Sequence, residues 1–212
     1  MATRSRWPSV EIALAARDLL DGKDFEANLN RLKTRHREAI QYFLSVLSGQ
    51  TNYKPAKGVH PVDASDAALA AISALGKHDV DFLIDLLTSA LESPDINPAF
   101  SLAWVLAHLD AKEAIETLML AMQHKNEYVR WAACTGLQRY ASKRARPLLN
   151  AAARDRSSMV RSSAVEALKT IGDETSLAPL ENCLRDRFPG IRSAAAEAID
   201  AIRKRIPPRA PD

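Results

Sequence analysis

The residues able to do chemistry in this chain are few. Histidines stand at His36, His60, His78, His108 and His124, and cysteines at Cys134 and Cys183. Metal sites built from these residue types need close spacing, such as Cys-x-x-Cys or His-x-x-x-His, so that ligands converge on one ion. No such spacing occurs. Phosphate-gripping loops need glycines ahead of a helix, and the nearest approach, Gly49 with Lys57-Gly58, lacks that spacing. No serine has the context of a nucleophile elbow. Glu113 and Glu116 read as exposed helix charges, and both cysteines fall inside helical patterns as small core residues. No catalytic residue and no cofactor are expected.

What remains is recognition chemistry. Aromatic side chains at Phe100, Trp104 and Trp131 offer apolar contact area. Lys143, Arg144, Arg146, Arg154 and Arg185 offer charged donors for carboxylates or phosphates. Charge is also unevenly spread. Residues 41–125 hold five Lys/Arg against ten Asp/Glu, a balance of −5, and residues 126–212 hold sixteen against ten, a balance of +6.

The elements that position these groups follow from an internal repeat. Val129-Arg130, Val160-Arg161 and Ile191-Arg192 recur every 31 residues. Leu75, Leu106, Leu137, Leu168 and Ile199 keep the same step, as do Leu87, Leu118, Leu149 and Leu180. Val160, Ala164, Leu168 and Ile171 fall on one face of a helix. Short breaks, such as Gly172-Asp173-Glu174, split each unit into a first and a second helix. Units fall near 66–94, 97–125, 128–156 and 159–187, with a closing helix at 190–205. One helix pair cannot bury its own apolar face, so neighbours must stack into a continuous core.

Asp155, Val160-Arg161, Ala164, Ala167-Leu168 and Ile171-Gly172, with Asp186 and Ile191-Arg192, resemble HEAT repeats, and more narrowly the short type of bacterial phycobilisome lyases. The resemblance implies an all-α, right-handed α-solenoid of antiparallel helix pairs whose second helices line a concave face. It also implies that Asp155/Arg161 and Asp186/Arg192, each six apart, form a ladder tying one unit to the next. His124 takes the aspartate place before Arg130, which makes that pair either weakened or pH-sensitive. Some HEAT-like enzymes bind two irons through His-Glu pairs, and no His-Glu dipeptide occurs here.

Four segments are expected: a helical N-terminal cap at 1–48, a loop at 49–62 with two glycines and two prolines, the solenoid at 63–205, and a disordered tail at 206–212. Pro8-Ser9 can open a helix through Leu20, and Asp24 can cap a longer one through about Leu47. No stretch is apolar enough to cross a membrane, no secretory leader is readable, and a cytoplasmic protein is expected.

Positions where the repeats disagree are candidates for function. Three residues after the first-helix start the units read Leu69, Phe100, Trp131, Ser162 and Ser193; four further on they read Ser73, Trp104, Thr135, Glu166 and Glu197. Phe100, Trp104 and Trp131 are expected to gather into a patch that is either an interface or covered by residues 1–61. The second-helix ends read Glu92, Gln123, Arg154 and Arg185, which with Lys143, Arg144, Arg146, Arg156 and Arg187 predicts a basic strip beside an acidic one of Asp81, Asp85, Glu92, Asp95 and Glu116. These features point to a protein-binding scaffold for an acidic or amphipathic partner. Alternatives are a bilin lyase-like or chaperone protein, implied by the resemblance, and nucleic-acid binding by the basic half.

Overall fold

The computed structural model describes residues 10–51, 53–59, 61–109 and 111–206. Twelve α-helices and no strand occur among them. The chain divides into two compact units, Met1–Ala111 and Lys112–Asp212.

The first unit holds α1 (Val10–Leu20), α2 (Phe25–Leu32), α3 (His36–Leu47), α4 (Pro61–Gly76), α5 (Val80–Leu91) and α6 (Ile96–His108). Leu19, Leu32, Ile40, Phe43, Ile72, Leu75, Leu87 and Leu106 make its core, each with 1% or less of its surface exposed. α3 packs against both α4 and α6, so the N-terminal helices share one core with the first repeats. The described residues of 48–59 carry no helix, and the segment is strapped to the end of α1. Tyr53 Oη and the Ala56 N–H both donate to Asp21 Oδ1, at 2.8 and 3.0 Å. Burial, then the Asp21 bond, raises the Tyr53 phenol above its ordinary value.

The one long helix expected after Asp24 is two. Asp24 does cap, accepting from the Ala27 N–H at 3.1 Å. The helix then tightens into a 3-10 turn at Lys33–Arg35 and restarts after Arg35, whose φ of −131° is non-helical. The restart serves a distant contact. His36 Nε2 lies 2.8 Å and Arg37 Nε 2.6 Å from the Asp79 carboxylate at the head of α5. Arg37 foremost holds that carboxyl down, at about 2.

The second unit holds α7 (Ile115–Ala121), α8 (Glu127–Arg139), α9 (Arg146–Ala152), α10 (Ser158–Ile171), α11 (Glu174–Cys183) and α12 (Pro189–Arg205). α10 packs between α8 and α12, and each second helix packs on the first helix of the next repeat: α7 on α8, α9 on α10, α11 on α12. Leu118, Leu137, Leu149, Leu168 and Leu180 have no exposed surface, so the 31-residue step marks the core. Alanines between them, such as Ala133, Ala164 and Ala195, are equally buried and let the helices approach closely. The division between units falls within the expected repeat 97–125. The expected tail beyond 206 lies almost wholly outside the described residues, as do Pro8-Ser9.

Candidate protein interface on the repeat turns

The turns between repeats in the second unit are built by one device used three times. Arg130, in the first turn of α8, donates Nε and Nη2 to the Asp155 carboxylate at 2.7 Å each. Its Nη1 donates back to the carbonyls of His124 and Lys125 at 2.8 and 2.9 Å. Arg161, in α10, repeats the pattern with Asp186 at 2.6 and 3.0 Å and with the Asp155 and Arg156 carbonyls at 2.9 and 3.2 Å. Arg192, in α12, makes the carbonyl half, to Asp186 and Arg187 at 2.8 and 3.3 Å. The ladder is therefore present with a different pairing. Arg130 and Arg161 each grip the carboxylate 25 residues ahead, while all three arginines take the backbone carbonyls five and six residues back.

The same aspartates close the turns. Asp155 accepts from the Ser157 N–H at 2.8 Å and Asp186 from the Phe188 N–H at 3.0 Å. The Arg161 fork holds the Asp186 carboxyl below its ordinary range. For Asp155, burial works upward, and the Arg130 fork with the Ser157 N–H outweighs it. His124 keeps half of this role. Its Nδ1 accepts from the Asn126 N–H at 3.1 Å, two residues on, without supplying a negative charge. Burial, then the Lys125 and Arg130 charges, lowers the imidazole below its ordinary value. Arg130 is not left unpaired by this change, because its carboxylate is Asp155.

With Asp155 and Asp186 neutralised internally, the arginines that flank them dominate the turns. Arg154, Arg156, Arg185 and Arg187 are all exposed. Arg156 reaches the Lys125 carbonyl at 2.8 Å, and Arg187 lies over the Phe188 ring at 4.7 Å. Arg154 and Arg185 occupy the same place in successive turns and have no carboxylate partner among the described residues. α9 and α11 pack together, and packed helix axes stand about 8–10 Å apart, so the two turns repeat at roughly that spacing.

The other expected cations sit elsewhere. Lys143, Arg144 and Arg146 lie at the head of α9, and Arg154 follows its end. The seven residues of α9 set the two groups apart, about 10 Å along the axis. The expected single strip is thus two groups at opposite helix ends. Arg146 is spent on structure, pairing with Asp173 and donating Nε to the Ile171 carbonyl at 3.0 Å. Arg144 pairs with Glu116 at 2.6 Å, and Lys143 is exposed. On the acidic side, Asp95 caps α6 through the Asn97 N–H at 3.1 Å, while Asp81, Asp85 and Glu92 are exposed.

The aromatic residues lie on two helices. Phe100 and Trp104 lie on α6 of the first unit, ring centroids 6.3 Å apart, and His108 extends the row 4.2 Å from Trp104. Trp131 lies on α8 of the second unit. It walls a groove of about 520 Å³ with Met159 and Phe188, neither of which stands in the rows of departing residues.

The thiols are buried. Burial pushes Cys134 up to about 12 and raises Cys183, whose Sγ lies 3.2 Å from the Ala153 carbonyl. Among the described residues no cluster of three or more His, Cys, Asp or Glu could hold a metal ion, and no helix is long and apolar enough to cross a membrane.

Stacked helix pairs on a 31-residue step, tied by an Arg–Asp ladder, match a known profile. HEAT repeats align with residues 84–149 and 115–200, more than half of the chain. The chain belongs to the HEAT-repeat family. Its α-solenoid class is shared with solved repeat structures. A designed armadillo repeat protein in complex with the peptide (KR)4 superposes with a TM-score of 0.53 at 17% identity, covering 92% of this chain and 100% of that one. A computationally designed armadillo repeat protein for modular peptide recognition gives 0.50 at 18% identity, covering 90% and 99%. At such identities the likeness concerns the fold. No protein of curated function matches the sequence.

Proposed function

We propose that this HEAT-repeat chain is a non-catalytic protein-binding scaffold whose basic inter-repeat turns hold an acidic or amphipathic partner. One observation carries the reading: Arg154 and Arg185 stand exposed at equivalent turns while the aspartates beside them are neutralised from within. Free cations at a repeat spacing of about 10 Å suit a partner with carboxylates at that interval, roughly three residues of extended chain or two turns of helix. Such charge speeds and orients encounter more than it adds raw affinity. Peptide binding by designed armadillo relatives supports the general mode, although the (KR)4 ligand of one of them is basic and the turns here are basic too.

The alternatives have less support. Nucleic-acid binding needs a continuous cationic track, and here Arg144 and Arg146 are tied to Glu116 and Asp173 away from the turns. A bilin lyase-like role rests on the phycobilisome-lyase resemblance alone.

The test is capture of partners from native lysate with tagged protein, comparing wild type with the double variant Arg154→Glu/Arg185→Glu. Both side chains are exposed, so the variant keeps its circular dichroism. The reading expects partners to be lost from the variant, and their retention would refute the surface.

A further inference from the structure

The groove beside Trp131 exists because side chains shrink along the array. Two rows of residues on the first helices set its size. Stepping by 31, the row at the helix start reads Tyr128, Met159, Gly190, and the row three residues on reads Trp131, Ser162, Ser193. α8 thus fills its outer face with two large rings, α10 with one methionine and a serine, and α12 with a glycine and a serine. The result is a depression of about 520 Å³ between the heads of α10 and α12, walled by Trp131, Met159, Phe188 and Pro189. Met159 is 37% and Phe188 40% exposed, so apolar surface stands open to water there. A Cβ placed on Gly190 would meet no atom within 4 Å, which confirms empty space above it.

The rim of the groove is positive. Arg187 lies across the Phe188 ring, and Arg156 stands at the preceding turn. The caps of α10 and α12, Ser157 and Phe188, make no side-chain bond to the helix N–H groups that follow. The positive ends of two helix dipoles, 14 and 17 residues long, therefore border the depression. The carboxylates of the same turns, Asp155 and Asp186, are already gripped by Arg130 and Arg161.

We propose that this groove is a docking site for a short acidic segment of a protein partner, which inserts one bulky apolar side chain between Met159 and Phe188 and turns its carboxylates to Arg156, Arg187 and the helix heads. The proposal rests on the scaffold reading and adds the site and the form of the ligand. It places the contact on the first helices, not on the second helices that a concave-face reading favours.

Gly190→Leu fills the groove without strain, since the space is empty and leucine suits a helix better than glycine. Ser162→Trp is a second filler, copying Trp131 one repeat along. The probe is a displayed library of random short peptides, panned against the full chain. Enriched sequences are then synthesised with a fluorescent label and titrated into each variant by anisotropy. The expected result is acidic sequences with a leucine, phenylalanine or tryptophan, weakened about tenfold or more by either filler while the unfolding midpoint does not fall. Equal affinity for the fillers, or enrichment of basic or uncharged sequences, overturns the proposal. So does a wild-type chain that dimerises in solution through a contact that Gly190→Leu abolishes, since the occupant would then be a second copy. Lysate partners that survive Gly190→Leu but are lost with Arg154→Glu/Arg185→Glu would overturn the groove and leave the scaffold reading standing.

Discussion

Arg161 and Arg192 are the same residue in successive repeats and do different amounts of work. Arg161 makes two bonds to the Asp186 carboxylate and two to backbone carbonyls. Its side chain is 13% exposed and that of Asp186 7%. Arg161→Ala leaves Asp186 with only the Phe188 N–H in a largely dry site. Removing one partner of a fully buried pair costs about 3–5 kcal/mol, and the residual exposure here brings the expectation to about 2–4 kcal/mol. Arg192→Ala removes the two carbonyl bonds alone and strands no carboxylate, for about 1 kcal/mol. Urea unfolding at neutral pH, followed by circular dichroism, measures both. Acid sharpens the comparison. The Asp186 carboxyl titrates below its unfolded value, so the rung's contribution is full above about pH 4 and is lost as pH falls through the folded value. The gap between wild type and Arg161→Ala should narrow in acid accordingly. Equal losses for the two variants, or a gap indifferent to acid, would refute the ladder as drawn.

Other expectations follow from single contacts. His124 protonates less readily folded than unfolded, so it favours folding above about pH 6.5 and opposes it as pH falls below that value. Wild type should therefore lose more stability than His124→Asn on going from pH 7.5 to 5, measured by urea midpoints. Gly172→Ala drives a methyl against the Leu168 carbonyl and to 2.7 Å from Ile202 Cδ1, and should cost about 1–3 kcal/mol. Cys134 should resist a thiol-labelling reagent in the folded chain and react on unfolding, which mass spectrometry reads directly.

The core was legible because packing repeats with the step: every leucine of the row from Leu87 to Leu180 is fully buried. The ladder was legible as a ladder, but its pairing was not. Asp186 and Arg192 are close in sequence, whereas the helix return brings Asp186 to Arg161 instead. The basic residues looked like one strip because composition ignores helix direction, which sets Lys143 and Arg154 at opposite ends of α9. The break after Leu32 was hidden for another reason. Residues 30–38 have strong helix formers, and the interruption serves Asp79, more than forty residues away. The groove owes its depth to the small residues Ser162 and Gly190, whereas the departures that stand out in the sequence are large. The row Tyr128, Met159, Gly190 carried the signal.

The central claim is that exposed arginines at the repeat turns hold an acidic partner. The most direct measurement is anisotropy of a labelled acidic peptide with carboxylates spaced about 10 Å apart, titrated into wild type and Arg154→Glu/Arg185→Glu at low salt and at about 0.3 M salt. The account predicts tight binding to wild type that weakens with salt and falls at least about tenfold in the variant. Equal affinity for both proteins at both salt concentrations would contradict it.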